Sequence, residues 1–414
     1  MLLLAFFQIF TSFVKNIQKS KYRTVLTFLK IRDINFRKRH VVSFDLEMSE
    51  RYVTISDAMP KSGEKSNAKD GVAKPNDPIS LKGLALHLGL STTTLSIVLN
   101  DSPQAVSIPA ETKKRIFDGA RDLNYRPNYL ARSLRVRKTN TVGVIVPELS
   151  DGYSAMVLNG VESALSTAGY FYLTASHLHR EDLLEKLPRV LIERQVDGII
   201  AVDTPIRFEP TLPVVNVSGH DDIDGVTNVV LNHQHAAELG IGHLYNLGHR
   251  RIAALKGQAF SSDTIVRWET MKEAAKKRGL TFDPALTVQL EGDSPSPEIG
   301  YTAMKSLLAK GENFTAVFAF NDVSAIGAIR ALEEMGLRVP ADVSVLGFDD
   351  IYAAAFHNPA LTTIRQPLFE MGYLAAKTLL DRLENGIKGD IPKTVSVEPT
   401  IIVRQSTSRV SQSE

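Results

Sequence analysis

Cysteine is absent from the 414-residue chain. Its absence excludes disulfides, thiolate metal sites, iron–sulfur clusters and cysteine nucleophiles, and it fits a reducing compartment. Long apolar runs are missing as well, since no stretch reaches the roughly 18 residues that a membrane-spanning helix needs. The remaining composition, 43% hydrophobic and 23% charged, is that of a globular protein. The length favours two or three domains.

The chain has little net charge, but the charges are unevenly placed. The total is only +2, yet residues 79–138 hold ten Lys or Arg against four Asp or Glu. Residues 1–47 hold nine basic and three acidic side chains, so the rest of the chain is net acidic. A basic module on an acidic body is expected where one end of a protein meets a polyanion.

Residues 1–78 form an N-terminal extension and linker. Residues 62–78 are rich in Lys, Gly, Ser, Asn, Asp and Pro, a composition typical of flexible linkers. Three interpretations stay open for residues 1–47: a short membrane anchor, a basic arm, or a start chosen wrongly upstream of Met48 or Met59. The segment lacks the periodicity of a packed element, so we favour a disordered or misassigned start.

Residues 79–127 are expected to form a small helical domain. Three sets of apolar residues recur at helical spacing, and each predicts the buried face of one helix. The sets are Leu81, Leu84, Ala85 and Leu88; Leu95, Val98 and Leu99; and Ile116, Ala120 and Leu123. A Gly-Leu-Ser turn at 89–91 separates the first two helices, with Ser91 as the N-cap of the second. This order predicts a helix-turn-helix domain.

From residue 141 onward, apolar runs typical of strands alternate with amphipathic helical stretches. The strand-like runs are 142–146, 171–175, 196–202, 214–217, 252–255, 316–320, 343–346 and 395–402. The helical stretches are 157–168, 182–194, 235–247, 268–278, 301–310, 324–335 and 370–384. Such alternation predicts an α/β architecture with parallel sheet. About 270 residues favour two lobes, with a ligand at the C-terminal ends of the strands.

Several ordered motifs carry a family resemblance. They lie at 79–100 (ISLKGLALHLGLSTTTLSIVLN), 124–134 (NYRPNYLARSL), 247–252, 321–328, 336–350 and 359–367. Together they resemble the LacI/GalR family of bacterial transcriptional regulators from residue 79 to about residue 406. The resemblance implies an all-α helix-turn-helix head and a two-lobed α/β core similar to periplasmic binding proteins.

The resemblance also implies the domain boundaries. The head spans 79–127, a hinge helix spans 128–138, and the effector-binding and dimerisation core spans 139–414. Lobe 1 is expected at about 139–231 and 361–390, and lobe 2 at about 232–360 and 391–406. A cleft between the lobes would hold the effector.

Residues of the head and hinge are expected to contact operator DNA. They are Ser91, Thr92, Thr93, Thr94, Ser96, Ile97, Asn100, Tyr125, Asn128, Ala131, Arg132, Leu134 and Arg135. Many family members carry Arg where this chain has Ile97, which cannot hydrogen-bond but can pack on a thymine methyl. We therefore expect an unusual operator half-site, unless Ile97 packs on the head or on a dimer mate.

The hinge helix is too short to be stable alone in water. In the family it forms on DNA, paired with the partner's copy in the minor groove. Leu134 matches the leucine that wedges between the central base pairs, a step that costs a few kcal/mol and is offset by added contacts. The alternative is a plain linker helix with Leu134 on a domain interface.

Candidate effector contacts are carried over from the family pattern to Asp151, Tyr153, Arg267, Ser294 and Asp322. Tyr153 could stack on a ring, and the guanidinium of Arg267 suits vicinal hydroxyls or a carboxylate. As alternatives, Arg267 and Asp322 could pair with each other, or residues 321–322 could cap the following helix.

No catalytic, cofactor or metal-ligating residues are expected. The chain has no phosphate-binding loop, no His-Glu-x-x-His and no Gly-x-Ser-x-Gly, and its ten histidines lack metal spacing. The Asp349-Asp350 pair and the His249-Arg250-Arg251 run are interpreted as structural turns.

The sequence therefore predicts a cytoplasmic, homodimeric repressor, with no membrane partner, that binds a palindromic operator. A small-molecule effector, a sugar in our interpretation, would control it. One alternative is a catabolite-control regulator whose corepressor is a phosphorylated carrier protein. An alternative of another class is a solute-binding protein for transport.

Overall fold

The computed structural model describes residues 79–100, 102–126, 138–150, 152–293, 296–385 and 392–410. The first of these ranges contains two short helices, α1 (Leu81–Leu88) and α2 (Thr92–Leu99). A 3-10 turn (Pro103–Ser107) and α3 (Ala110–Asp122) follow. The predicted helix-turn-helix is confirmed.

Local chemistry sets the ends of α1 and α2. Ser80 caps α1 by accepting a hydrogen bond from the backbone of Gly83, and Ser91 caps α2 in the same way through Thr94. Gly89 ends α1 with a left-handed backbone (φ 65°), which glycine adopts without steric cost. The three residues 89–91 are therefore enough to change the chain direction between α1 and α2.

The head has a small apolar core of its own. Its fully buried members are those that the helical spacing predicted: Leu84, Ala85, Leu95, Val98 and Ile116. The methyl groups of Leu88 lie so close to Gly119 that a Cβ there would be 2.8 Å from one of them. Helix α3 therefore packs tightly on the C-terminal end of α1.

Lobe 1 is built on a six-stranded parallel sheet in the order β11-β5-β4-β3-β1-β2. Its strands are β1 (Thr141–Val146), β2 (Phe171–Ser176), β3 (Gly198–Val202), β4 (Val214–Val217), β5 (Val226–Leu231) and β11 (Thr394–Val397). Its helices are α4 (Gly152–Thr167), α5 (Glu181–Glu193) and α11 (Leu368–Asn385). The near-continuous Val and Ile of β1, β3 and β4 are buried, as expected for strands covered on both faces.

Lobe 2 has a second six-stranded sheet in the order β12-β10-β9-β8-β6-β7. Its strands are β6 (Ile252–Lys256), β7 (Thr287–Gln289), β8 (Ala316–Ala319), β9 (Ser344–Asp349), β10 (Thr362–Arg365) and β12 (Thr400–Ile402). Its helices are α6 (His233–Asn246), α7 (Asp263–Lys276), α8 (Pro297–Leu308), α9 (Asp322–Glu334) and α10 (Tyr352–Phe356). All pairings are parallel except that of β12 with β10.

The expected lobe boundaries are wrong at two strands. The expected boundaries place β10 in lobe 1, but it pairs with β9 in lobe 2. They place the run 395–402 in lobe 2 as one strand, but it divides into β11 in lobe 1 and β12 in lobe 2. Glu398 and Pro399 separate the two, and a proline cannot donate a hydrogen bond to a ladder.

Three strands had no counterpart in the sequence prediction: β5, β7 and β10. In β5, Thr227 and Asn228 interrupt the apolar run, yet both are buried. The side-chain amide of Asn228 donates to the carbonyl of Asp221 at 2.8 Å, and Arg382 donates to the Thr227 hydroxyl at 3.1 Å. These hydrogen bonds allow polar residues in a buried strand.

Within the described residues the chain passes between the lobes three times: after β5, after β10 and after β11. These three crossovers lie next to each other and leave the C-terminal ends of both sheets facing one cleft.

Among the described helices, no single one is long and apolar enough to cross a membrane. The pair α1 and α2 has the length and composition of a span only when taken together, and it is bent by 109° at its break.

Candidate DNA-reading surface and effector cleft

The first turn of α2 presents a row of hydroxyl side chains. Thr92 and Thr93 are exposed, as expected for residues that read DNA. The Ser91 hydroxyl accepts from the Thr94 amide at 3.0 Å and lies 2.8 Å from the Thr94 hydroxyl. Ser91 and Thr94 therefore support each other at the helix start, where backbone N–H groups favour a phosphate.

The second turn of α2 differs from the expected arrangement in one side chain. The Asn100 amide turns back on its own helix and donates to the Ser96 carbonyl at 2.6 Å and to its hydroxyl at 3.2 Å. Ile97 is half-buried and lies outside the apolar cluster of the head. This position favours a surface role for Ile97 over packing in the core of its own domain.

Tyr125 follows α3 and packs on the head core. Partial burial raises the pKa of its hydroxyl. Its contact with DNA stays a prediction, and the structure adds a packing role. The other predicted hinge residues lie outside the described residues, together with two effector candidates: Asn128, Ala131, Arg132, Leu134, Arg135, Asp151 and Ser294.

The cleft brings polar side chains of both lobes into contact. The Ser262 hydroxyl of lobe 2 donates to the Asp203 carboxylate at 2.9 Å and to the Ser218 carbonyl at 2.5 Å. Asp203 follows β3, and Ser218 follows β4 in lobe 1. Both have left-handed backbone angles, φ 39° and 59°. Such backbone strain at non-glycine residues is concentrated at functional sites.

Tyr153, at the start of α4, faces the same cleft. Its hydroxyl lies 2.6 Å from the Ser218 hydroxyl. Burial raises the pKa of Tyr153 well above its ordinary value, and the nearby charges of Asp263 and Asp203 raise it further. Tyr153 therefore stays a neutral hydroxyl that can donate or accept, and its contact with an effector stays a prediction.

Asp203 is a cleft residue that sequence reasoning missed. Burial and the neighbouring Asp263 raise the pKa of Asp203 to about 6. Its carboxylate gives the cleft a hydrogen-bond acceptor that titrates near neutral pH. The signal that could have found it is an acidic residue directly after a buried strand of a parallel sheet.

Arg267 is buried among protein partners. One terminal nitrogen donates to the Phe320 carbonyl at 2.5 Å, and the other donates to Asp263 at 2.8 Å. The guanidinium carbon lies 4.4 Å and 3.7 Å from the ring centroids of Phe320 and Phe348. Arg267 forms its ion pair with Asp263, so the alternative pairing of Arg267 with Asp322 is not found. A contact with an effector stays a prediction.

Asp322 is fully buried inside lobe 2. It accepts hydrogen bonds from the Ile351 amide at 2.9 Å and from the Thr363 hydroxyl at 2.6 Å, and burial raises its pKa to about 7. Asn321 caps α9 in a capping box with Ser324. The geometry gives Asp322 a bracing role between β10 and the end of β9, and its contact with an effector stays a prediction.

Three further side chains meet at the boundary of the lobes. One oxygen of Asp263 (Oδ1) accepts from His220 Nε2 at 2.7 Å and lies 3.2 Å from His233 Nε2. Burial alone would raise the pKa of Asp263, but His233, His220 and Arg267 hold it well below its ordinary value. No local motif in the sequence marks this cluster, because His220 and Asp263 are 43 residues apart in the chain.

The two runs interpreted as structural turns have structural partners. Asp350 forms ion pairs with Arg365 and Arg404, each at 2.6 Å, and Asp349 accepts from Gln366 at 2.7 Å. His249 lies 2.9 Å from the Thr315 hydroxyl and 3.0 Å from the Ser408 carbonyl. Both runs therefore contribute contacts within lobe 2.

Comparisons with known proteins agree with this architecture. Residues 241–407 match the family model described as a periplasmic binding protein-like domain. The transcriptional repressor PurR of Haemophilus influenzae is 32% identical over 342 residues, which cover 80% of this chain and 99% of that protein.

Two solved structures align with the head and core together. The Lac repressor bound to ONPG in the repressed state matches with a TM-score of 0.70 at 25% identity, over 80% of this chain and all of that one. The complex of the transcriptional regulator CelR with cellobiose matches with a TM-score of 0.60 at 27% identity, over 79% and 99%.

PurR and the Lac repressor are both repressors, and the match to this chain covers nearly the whole length of each. This combination supports a DNA-binding transcriptional repressor with an effector-binding core. The chain belongs to the LacI/GalR family of transcriptional regulators.

Proposed function

We propose that this repressor binds a palindromic operator as a homodimer and is controlled by a small polyhydroxylated effector, a sugar, in the cleft between its lobes. The single observation that carries the proposal is the cleft itself. Strand ends of both lobes meet there through Ser262, Asp203 and Ser218. A ligand that replaces these contacts would change how the lobes meet.

The chemistry of the cleft supports a ligand with several hydroxyl groups. Tyr153, Ser218 and Ser262 offer hydroxyls, and Asp203 offers a carboxylate acceptor. Each sugar hydroxyl can donate one hydrogen bond and accept others, so it matches such a mixed set. The CelR structure was solved with cellobiose, a disaccharide.

An aromatic patch supports the homodimer. It consists of Tyr352, Phe356, Phe369 and Tyr373, and the first two side chains are 72% and 88% exposed. Three of them line a groove of about 430 Å³ that also includes Met156. Exposed apolar patches of this kind mark interaction sites. The patch spans α10 of lobe 2 and α11 of lobe 1, so a dimer formed on it would respond to lobe movement.

Control of operator binding requires that the effector bind two arrangements of the lobes unequally. An effector shifts an equilibrium only if it binds the two arrangements of the lobes with different affinity. We propose that the arrangement with high operator affinity is the one in which the hinge residues 128–138 order on DNA and Leu134 enters the minor groove. Such a regulator acts on chromosomal DNA, which places it in the cytoplasm.

The function is tested with the full-length chain. An operator is first selected from random duplex DNA, and the affinity for it is measured by fluorescence anisotropy at a stated salt concentration. Monosaccharides, disaccharides, polyols and nucleobases are then screened by thermal shift. We expect one class to raise the melting temperature and to change operator affinity by about 5- to 150-fold. A ligand that stabilises the protein but leaves operator affinity unchanged would contradict the proposal.

A further inference from the structure

Two imidazoles and a carboxylate converge at the boundary between the lobes. His220 lies in lobe 1 on the loop after β4, while Asp263 begins α7 and His233 begins α6 in lobe 2. Their candidate ligand atoms all lie within 4.8 Å of one another. His233 and Asp263 are buried, and His220 keeps 21% of its side chain exposed. The cluster is therefore a shielded site with one accessible side.

The chemistry of the three groups suits a cation. The Asp263 carboxylate lies between the Arg267 guanidinium on one side and the two imidazoles on the other. Two imidazoles and one carboxylate form a donor set that divalent transition metals such as Zn²⁺, Co²⁺ and Ni²⁺ prefer.

The surroundings orient these donors. Arg267 donates to Oδ2 of Asp263 at 2.8 Å, which turns Oδ1 towards the two imidazoles. Such outer partners fix the direction of metal ligands. The other ring nitrogen of His233, Nδ1, is buried and has no hydrogen-bond partner among the described residues. Moving the ring proton from Nε2 to Nδ1, which frees Nε2 for a metal, therefore breaks no contact at Nδ1.

We propose that His220, His233 and Asp263 bind one divalent transition-metal ion across the two lobes. The ion takes the place of the hydrogen bonds that the Nε2 atoms make to Oδ1, and each ring then carries its proton on Nδ1. Three protein ligands leave a fourth position for water or another small ligand. Because His220 belongs to one lobe and Asp263 to the other, the ion would tie the lobes together.

The test uses the full-length chain after treatment with a chelator. Titration with CoCl₂ is followed by visible absorption, and ZnCl₂ is measured by competition against bound Co²⁺. We expect saturation at one ion per chain. The His220→Gln and His233→Gln variants should each weaken binding by about 10- to 100-fold or more, since losing even an outer partner of a ligand has that effect.

The matched control is His235→Gln. His235 also lies on α6, only two residues from His233, but it is more exposed and its Nδ1 lies 2.7 Å from Glu398. Its removal should leave the affinity unchanged. Each variant is checked for folding by circular dichroism; if His233→Gln does not fold, the loop variant His220→Gln decides.

Three results would overturn the proposal. They are the absence of saturable binding, an affinity unchanged in His220→Gln, and a loss in His235→Gln as large as that in the cluster variants. Any of them would mean that the two histidines serve Asp263 only as hydrogen-bond donors. Because the readout is metal binding alone, failure here would leave the proposed repressor function untouched.

Discussion

At the scale of single residues, the cleft depends on buried charged groups that are paired with one another. Asp263 illustrates this, because it accepts hydrogen bonds from His220 and Arg267 while buried at the lobe boundary. A buried charge is tolerated only when such partners compensate for lost hydration. Substitution of one partner should therefore affect both stability and control.

Arg267→Ala removes the guanidinium that compensates Asp263 and packs on Phe320 and Phe348. We expect the free energy of unfolding to fall by about 3–5 kcal/mol, the usual effect of leaving one buried charge unpaired. We also expect the response to effector to be lost. Urea unfolding and operator titration with effector measure the two effects. A variant with wild-type stability and normal response would show that Arg267 has neither role.

Asp322 predicts a pH dependence. Its folded-state pKa of about 7 lies above the value of about 4 for an unfolded carboxyl, so the folded state holds a proton that the unfolded chain loses. The contribution of this group to stability therefore falls as pH rises from about 4 to about 7.

The measurement is urea unfolding of the wild type and Asp322→Asn between pH 5 and pH 8. The variant should lose less stability than the wild type over this range, because its amide does not titrate. Parallel pH profiles for the two proteins would show that the Asp322 carboxyl does not titrate with folding.

At the scale of elements, the two short helices of the head depend on their caps. Helices of eight residues are marginal alone, so the cap and the packing of Leu95 and Val98 hold α2 in place. Strand β10 shows the opposite case, because its place is decided by pairing with β9 rather than by its own composition.

Ser91→Ala and Ser80→Ala provide a matched pair of cap variants. Each removes one hydroxyl that accepts from a backbone amide at 3.0–3.1 Å and should cost about 1 kcal/mol of head stability. Only Ser91 lies at the start of α2, whose side chains are predicted to contact operator DNA. We therefore expect Ser91→Ala to weaken operator binding more than Ser80→Ala, as measured by fluorescence anisotropy. Equal weakening would assign Ser91 to capping alone.

At the scale of the whole molecule, the aromatic patch and the cleft lie on the same two lobes. The patch joins α10 of lobe 2 to α11 of lobe 1, while Ser262 joins the lobes inside the cleft. A dimer formed on the patch would therefore be sensitive to the ligand in the cleft, which is the coupling that an effector-controlled repressor needs.

Phe356→Asp tests the dimer. The side chain is 88% exposed, so the change should leave the protomer folded while placing a charge in the proposed interface. We expect a shift from dimer to monomer in sedimentation velocity and a loss of operator affinity. Val106→Asp, at an equally exposed apolar residue of the head, is the control for sedimentation and should remain dimeric. A dimeric Phe356→Asp would place the interface elsewhere.

Features that depend on neighbours in the chain could be predicted from the amino-acid sequence alone. The spacing of Leu84, Leu95 and Ile116 predicts the helices of the head and their core, and Ser91 marks the start of α2. The apolar runs of β1, β3 and β4 predict buried parallel strands. Periodicity and capping are local, and they can be recognised from a few adjacent residues.

Which strands share a sheet and which side chains share a site depend on the packing of the whole chain. Nothing local distinguishes β10 from a strand of lobe 1, and Glu398-Pro399 looks like an interruption until β11 and β12 are found in different lobes. His220 and Asp263 meet only because both lie at strand ends that face one cleft. Contacts between residues far apart in the chain depend on how the lobes pack, and local pattern carries no information about that packing.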